Sequence, residues 1–277
     1  MITTSPTYFA SGSNRPADIR GLAAVGHPIG VAVPELSPNA LRELEATAGA
    51  VPVFVDSGAF SEVRFTSSGP EIIRPITDAK WRHVFRVYFR LARALGSALH
   101  VVAPDCVGFQ GETLVRLRKW APALRELRKL GVHVLVPIQK GSMSQADFDA
   151  AVSSVLGFSD YTRALPCKKG ATTLDELAAF VSAVRPARLH LLGMGIKNRN
   201  MSKAIAAVSE LSPETELTCD SNWIAANVGR GRKPRLLTRC RDKASALIAA
   251  GVSSLHVQEL AIMLAFGVEL EPATAAA

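Results

Sequence analysis

The chain has 277 residues, of which 32 are Lys or Arg and 24 are Asp or Glu, giving a net charge of +8 and a mean hydropathy of +0.18. These values lie in the globular range and exclude a wholly disordered or fibrous chain. No stretch approaches the roughly 18 uninterrupted apolar residues of a membrane span, and the first residues lack a secretory signal pattern. We therefore expect a cytoplasmic protein with no membrane partner.

Short apolar runs alternate along the chain with stretches of helical period. The predicted strands are 8–10, 30–33, 51–55, 99–103, 132–136, 188–192, 216–219 and 254–257. The predicted helices are 80–95, 113–130, 173–184, 202–211 and 241–250. Strands that alternate with helices indicate right-handed crossovers and a parallel sheet. The number of units favours a closed (β/α)8 TIM-type barrel as a single domain over residues 1–271, with a disordered tail at 272–277.

The cysteines and histidines give no metal pattern. The four cysteines lie far apart, so none forms the short-spaced pair typical of a structural zinc site. Several histidines fall within predicted strands, and we expect them to be hydrogen-bonded barrel residues; they are His100, His133, His190 and His256. The sequence therefore predicts no metal and no other cofactor.

Polar residues follow several predicted strands at their carboxyl ends. Asp56, Asp105, Gln139 and Asp220 each stand at such an end. In a barrel these ends meet at one mouth, which holds the active site. One Asp alone is a common helix cap or turn residue, but three carboxylates with a carboxamide favour a site. A carboxylate and a carboxamide can bind the edge of guanine, a second carboxylate can attack a sugar carbon, and a third can act as general acid/base.

Two basic clusters accompany this set. The first lies on the predicted helix 113–130, and we interpret it as a solvated helix face; it comprises Arg116, Arg118, Lys119, Arg125, Arg128 and Lys129. The second comprises Arg230, Arg232, Lys233, Arg235, Arg239 and Arg241, and its part at 229–235 is interrupted by Gly and Pro and cannot be a regular helix face. The side chains of this part suit a phosphate backbone and are predicted to bind nucleic acid; the residues are Arg230, Arg232, Lys233 and Arg235.

Five motifs carry a resemblance to a known family. They are DSGAF at 56–60, APD at 103–105, PIQKG at 137–141, LLGMG at 191–195 and CD at 219–220. In this order and spacing, over residues 50–222, they resemble the tRNA-guanine transglycosylase superfamily. The resemblance implies a (β/α)8 barrel that exchanges guanine for a 7-deazaguanine by a covalent, retaining mechanism.

The resemblance also implies roles for individual residues. Asp220 would be the nucleophile at C1′, Asp56 the general acid/base, and Asp105 with Gln139 would recognise the purine edge. The remaining substrate-binding positions are implied to be Ser57, Gly58, Leu165, Leu192, Gly193 and Met194. The Gly-Gly-Leu segment of the family is replaced here by ALPC at 164–167.

Two departures bear on the substrate. The tRNA enzymes have a Cys/His zinc subdomain after the nucleophile and a Leu-Pro-Thr-Arg segment, and neither follows Asp220. The chain thus resembles the short, zinc-free DNA-guanine transglycosylases that insert preQ0-type bases into bacterial or phage DNA. We expect a pentosyltransferase that acts on DNA, with accessory modification proteins as possible partners. The alternatives are a tRNA substrate, a small-molecule barrel hydrolase or aldolase, and a non-catalytic nucleic-acid-binding barrel.

Overall fold

The computed structural model describes residues 6–24, 26–168, 171–195 and 198–222, and its main feature is a closed barrel of eight parallel strands. The strands of the described residues are β1 (Thr7–Ala10), β2 (Ile29–Ala32), β3 (Val53–Asp56), β4 (Val63–Thr66), β5 (Gly69–Ile72), β6 (Leu99–Val102), β7 (His133–Pro137), β8 (Thr162–Pro166), β9 (Arg188–Leu192) and β10 (Glu216–Ser221). The barrel order is β1-β2-β3-β6-β7-β8-β9-β10, and β10 pairs with β1 to close it. Strands β4 and β5 form a separate antiparallel hairpin.

Helices connect the barrel strands and cover their outer faces. They are α1 (Pro16–Ala24), α2 (Pro38–Ala46), α3 (Asp78–Leu95), α4 (Gln110–Lys129), α5 (Gln145–Leu156), α6 (Leu174–Val184) and α7 (Met201–Leu211). Side-chain caps define several starts: Thr173, for example, accepts from the backbone of Glu176, whose side chain accepts in return from the Thr173 backbone. None of the helices in the described ranges is long and apolar enough to cross a membrane.

The predicted barrel is confirmed, and the differences are local. The prediction from sequence lacks β8, because Arg163 and Pro166 interrupt its apolar run. It also omitted α1, α2, α5 and the β4–β5 hairpin. Eight strands close the barrel between Thr7 and Ser221. The predicted strand 254–257, helix 241–250, tail 272–277 and boundary at 271 lie outside the described residues.

Side chains fill the described part of the barrel interior. A small apolar cluster of Phe9, Phe54, Val102, Leu135 and Ala164 comes from five different strands and is separate from the larger core beneath the helices. The rings of His100 and His133 stack in register on β6 and β7, with centroids 4.5 Å apart. This filling is the usual state of a TIM barrel, whose catalytic groups lie at the carboxyl ends of the strands.

Candidate functional site

Asp220, near the end of β10, is surrounded by hydrogen-bond donors. Its Oδ1 accepts from the backbone N–H of Gly193 at 2.7 Å and lies 3.3 Å from His190 Nε2, while its Oδ2 accepts from the Ser11 hydroxyl at 2.8 Å. Burial raises the pKa of Asp220, but the contacts with His190, Gly193 and Ser11 outweigh burial and hold the pKa below its ordinary value. Asp220 is therefore a buried carboxylate that stays ionised.

His190, on β9, is oriented by two further neighbours. Its Nδ1 lies 2.8 Å from the Thr218 hydroxyl, and its ring stacks on Phe54 with centroids 5.0 Å apart and planes 10° apart. An ionised Asp220 can only accept, so His190 Nε2 carries the hydrogen in that contact. In the neutral ring the Thr218 hydroxyl then donates to Nδ1. This agrees with the expectation that His190 is a hydrogen-bonded barrel histidine, and it adds a contact with the candidate nucleophile.

Asp56, at the end of β3, is held by the turn that follows it. Its Oδ1 accepts from the backbone N–H of Gly58 at 2.9 Å. Gly58 has a φ of +82°, and a Cβ there would collide with Pro34, so only glycine fits this turn. Burial raises the pKa of Asp56 and the charge of Asp220 adds to the rise, while the Gly58 hydrogen bond and Lys168 offset part of it. Asp56 therefore holds a proton more readily than an ordinary aspartate.

Asp56 and Asp220 line one cavity of about 380 Å³ at the barrel mouth. Its other lining residues include Ser11, Asn14, Glu35, Gly58, Phe60, Ser61, Lys168 and Gly193. Lys168 brings a cation, with its Nζ 3.9 Å from the centre of the Phe60 ring. Its stem passes over Gly193, where a Cβ would come within 3.1 Å of it. The cavity thus combines three carboxyl side chains, those of Asp56, Asp220 and Glu35, with an ammonium group and an aromatic ring.

Asp105 and Gln139 form a second, more buried pair. Gln139 Nε2 donates to Asp105 Oδ2 at 2.8 Å, and Gln139 Oε1 accepts from the Gly108 backbone at 2.9 Å. Asp105 Oδ1 is buried and has no hydrogen-bond partner among the described residues. Burial and then the charge of Asp56 raise the pKa of Asp105 to about 8, although Arg116 opposes the rise. At neutral pH this carboxyl is mostly protonated.

Arg116 corrects one expectation from the sequence. It belongs to the basic cluster interpreted as a solvated face, yet its side chain is 13% exposed and forms an ion pair with fully buried Glu62 at 2.6 Å. Its Nη1 also donates to the Asp105 carbonyl oxygen at 2.6 Å. The alternation of charges on α4 could not reveal this, because Glu62 comes from the segment before β4.

The structure brings together only part of the predicted residue set. Asp56, Gly58, Gly193 and Asp220 share the cavity. The described lining does not include the other predicted residues of the site, which are Ser57, Asp105, Gln139, Leu165, Leu192 and Met194. Leu165 and Met194 are buried in the main core, and Leu192 packs on the interior cluster. Their substrate contacts stay predictions, and Arg230, Arg232, Lys233 and Arg235 lie outside the described residues.

Several cavity residues were missed by sequence reasoning. Ser11 directly follows β1, and Lys168 follows β8, the strand whose apolar run is interrupted. Because parallel strands all end at the mouth, the residue after each strand was the available signal. Phe60 belongs to the DSGAF motif at 56–60, but the sequence predicted no role for it. Within the described ranges, no group of three or more His, Cys, Asp or Glu residues is arranged to hold a metal ion.

Comparison with known proteins supports the fold alone. No protein-family model and no curated protein matches the chain. A protein assigned as a fructose-1,6-biphosphate aldolase from Coccidioides immitis is 10% identical, with a TM-score of 0.52 over 96% of this chain and 89% of that one. A D-allulose 3-epimerase from Methylomonas sp. is 9% identical, with a TM-score of 0.47 over 95% of this chain and 97% of that one. The similarity to the first of these proteins supports a TIM-barrel fold for this chain, in agreement with its closed barrel of eight parallel strands.

Proposed function

We propose that this protein is a base-exchange glycosyltransferase that replaces guanine in DNA with a 7-deazaguanine such as preQ0. The observation that carries the proposal is the pair of aspartates on one cavity with opposite pKa shifts, lowered for Asp220 and raised for Asp56. A covalent, retaining exchange at a sugar carbon needs one ionised carboxylate as nucleophile and one protonated carboxyl as acid. The opposite environments of Asp220 and Asp56 support the roles that the motif resemblance implies for them.

The first half of the reaction removes guanine. An oxygen of Asp220 attacks C1′ of the deoxyribose as the bond from C1′ to guanine N9 breaks, and Asp56 gives its proton to the departing base. The N–H of Gly193 and the Ser11 hydroxyl keep Asp220 ionised and oriented before the attack. The product is an ester between Asp220 and C1′, with Asp56 left as a carboxylate.

The second half is the reverse with a different base. Asp56 removes the N9 proton of the incoming 7-deazaguanine, N9 attacks C1′, and the ester bond to Asp220 breaks. Atoms and charges balance without an oxidant or reductant. Asp105 is the candidate for recognising the base: its carboxyl is mostly protonated and Oδ2 accepts from Gln139, so the unpartnered Oδ1 carries the proton and could donate a hydrogen bond to an acceptor of guanine such as O6.

The test is incorporation of labelled preQ0 and labelled guanine into duplex DNA, single-stranded DNA and tRNA. The wild-type protein and the exposed control Asp175→Asn should label DNA, and Asp220→Asn should reduce labelling by at least about a thousandfold because the nucleophile is lost. A denaturing gel should show a covalent protein–DNA adduct with the wild-type protein. Labelling of tRNA alone would exclude DNA as the substrate, and full exchange by Asp220→Asn would exclude the mechanism.

A second candidate is favoured by Lys168 in the same cavity. An amine beside carboxylates can form a Schiff base with a small carbonyl substrate, as in a barrel aldolase. Borohydride reduction in the presence of sugar phosphates, followed by intact-mass measurement, would reveal a stable adduct. An adduct in the wild-type protein that is absent in Lys168→Met would support the aldolase over the transglycosylase.

A further inference from the structure

Two aromatic rings are exposed beside the cavity, on the segment that follows Asp56. Phe60 and Phe65 are 44% and 52% exposed, and their rings stack with centroids 5.9 Å apart and planes 27° apart. We call this pair the aromatic platform. Single exposed apolar side chains are common, but neighbouring ones that form a contiguous patch often mark a site for a ligand or partner.

The pairing of the β4–β5 hairpin explains why one of its faces is apolar. Directly opposed residues share a face, so Val63, Phe65, Pro70 and Ile72 lie on one side. The opposite face carries Arg64 and Glu71, which form an ion pair at 3.3 Å. The charged face is neutralised within the hairpin, whereas the apolar face presents Phe65 to Phe60.

The hairpin is anchored to the barrel, so the platform has a fixed position. Glu62 precedes β4 and is fully buried; its carbonyl accepts from the backbone N–H groups of Ile73 and Arg74, and its carboxylate accepts from that of Ile76 at 2.8 Å. The same carboxylate is held by Arg116 on α4. Binding to a surface held in this way needs little further ordering of the protein.

The platform is continuous with the proposed active site. Phe60 lines the cavity that holds Asp56 and Asp220, and the ammonium group of Lys168 lies over its ring. A surface that combines exposed aromatic rings with a cation is typical of sites for unpaired nucleic acid, in which bases stack on rings and phosphates meet cations. An apolar protein segment could pack on the two rings but would have no group to pair with the ammonium of Lys168, so it is a less suitable occupant.

We propose that Phe65, stacked on Phe60, binds the nucleobase next to the nucleotide that enters the cavity. This inference rests on the proposed function, because chemistry at C1′ in the cavity requires the target nucleotide to leave the base stack. Its neighbour then loses a stacking partner, at an energetic cost of a few kcal/mol for the unstacking. The aromatic platform replaces that partner and favours unpaired DNA over an intact duplex.

The experiment compares the variants Phe65→Ala and Phe65→Trp with the control Ile73→Ala. Ile73 is also exposed, but it directly follows the hairpin and is not part of the aromatic platform. Binding of a labelled, guanine-containing single-stranded oligodeoxynucleotide is measured by anisotropy at several salt concentrations. Phe65→Ala should weaken binding about 5- to 100-fold at every salt concentration with an unchanged salt slope, because stacking releases no counterions. Phe65→Trp and Ile73→Ala should bind as the wild-type protein does.

Three outcomes would overturn the inference: wild-type affinity in Phe65→Ala, equal loss in Ile73→Ala, or no binding of the oligonucleotide by the wild-type protein. A change in sedimentation of Phe65→Ala without a change in DNA binding would also overturn it and would identify a protein contact. The binding assay needs no catalysis. If the wild-type protein exchanges no base but its binding of the oligonucleotide still depends on Phe65, the proposed function is refuted, whereas nucleobase binding by the aromatic platform is supported.

Discussion

Asp220 and Asp105 are both buried aspartates near the carboxyl ends of barrel strands, yet they differ in charge. Asp220 is 9% exposed and is met by three donor groups, and its pKa is lowered. Asp105 is 3% exposed and receives one side-chain donor, from Gln139, and its pKa is raised to about 8. Similar burial thus gives opposite results, because the number of donors aimed at the carboxyl decides whether the charged form is tolerated.

The largest expected effect is the loss of stability when Arg116, which donates to the Asp105 carbonyl, loses its ion-pair partner Glu62. Glu62→Ala leaves Arg116 charged, buried and without its carboxylate, which should lower the free energy of unfolding by about 3–5 kcal/mol. The control is Glu71→Ala, which breaks the exposed pair with Arg64 and should change it by less than about 1 kcal/mol. Chemical denaturation measures both. Equal small effects would mean that the Glu62–Arg116 pair does not hold this part of the mouth.

The next effect concerns the donors around Asp220. Ser11→Ala removes the donor to Oδ2, so the pKa of Asp220 should rise and the acidic limb of the exchange rate should move to higher pH. Loss of a hydrogen bond to a charged group should lower the rate about 10- to 100-fold at mildly acidic pH. The control Ser13→Ala removes a nearby buried hydroxyl that, among the described residues, bonds the Ala10 carbonyl. An unshifted profile in Ser11→Ala would show that this donor does not set the charge of Asp220.

Asp105→Asn tests the carboxyl whose pKa is raised, in contrast to Asp220, whose pKa is lowered. The folded protein keeps the Asp105 proton up to about pH 8, whereas the unfolded chain releases it near pH 4. This group therefore lowers stability as pH rises from about 4 to about 8, and the full penalty remains above pH 8. The variant should be more stable than the wild-type protein by about 1–3 kcal/mol at pH 9 and nearly unchanged at pH 4. Melting curves across this range measure the difference, and a constant offset at every pH would contradict it.

The smallest effect concerns Lys168, the cation that lines the cavity with Asp56 and offsets part of the rise in the pKa of that carboxyl. If it contacts a phosphate of single-stranded DNA, Lys168→Met should reduce the slope of log K against log salt by about 0.7. Lys140→Met is the control, since Lys140 pairs with Glu176 at another surface and does not line this cavity in the described residues. Equal salt slopes in the wild-type protein, Lys168→Met and Lys140→Met would mean that Lys168 contacts no phosphate and interacts only locally, with Phe60 and Asp56.

The sequence by itself determined the barrel and the carboxylates at its mouth. Apolar runs such as 99–103 and 132–136 form β6 and β7 because nearly continuous apolar residues suit strands that are buried on both faces. Once the strands are parallel, their carboxyl ends meet, so Asp56 and Asp220 could be predicted to converge from their positions alone. A strand such as β8, in which Arg163 forms an ion pair with Asp149 of α5, does not carry this local signal.

Only the tertiary structure decided which groups are charged and which share a cavity. Ser11 and Asp220 are 209 residues apart in the chain, and their hydrogen bond exists because β1 closes the barrel against β10. The burial of Arg116 likewise depends on Glu62 from another element, and the position of Lys168 depends on where β8 ends. Burial, hydrogen-bond count and pKa are properties of the packed environment, and a linear pattern contains the residues of that environment without their distances.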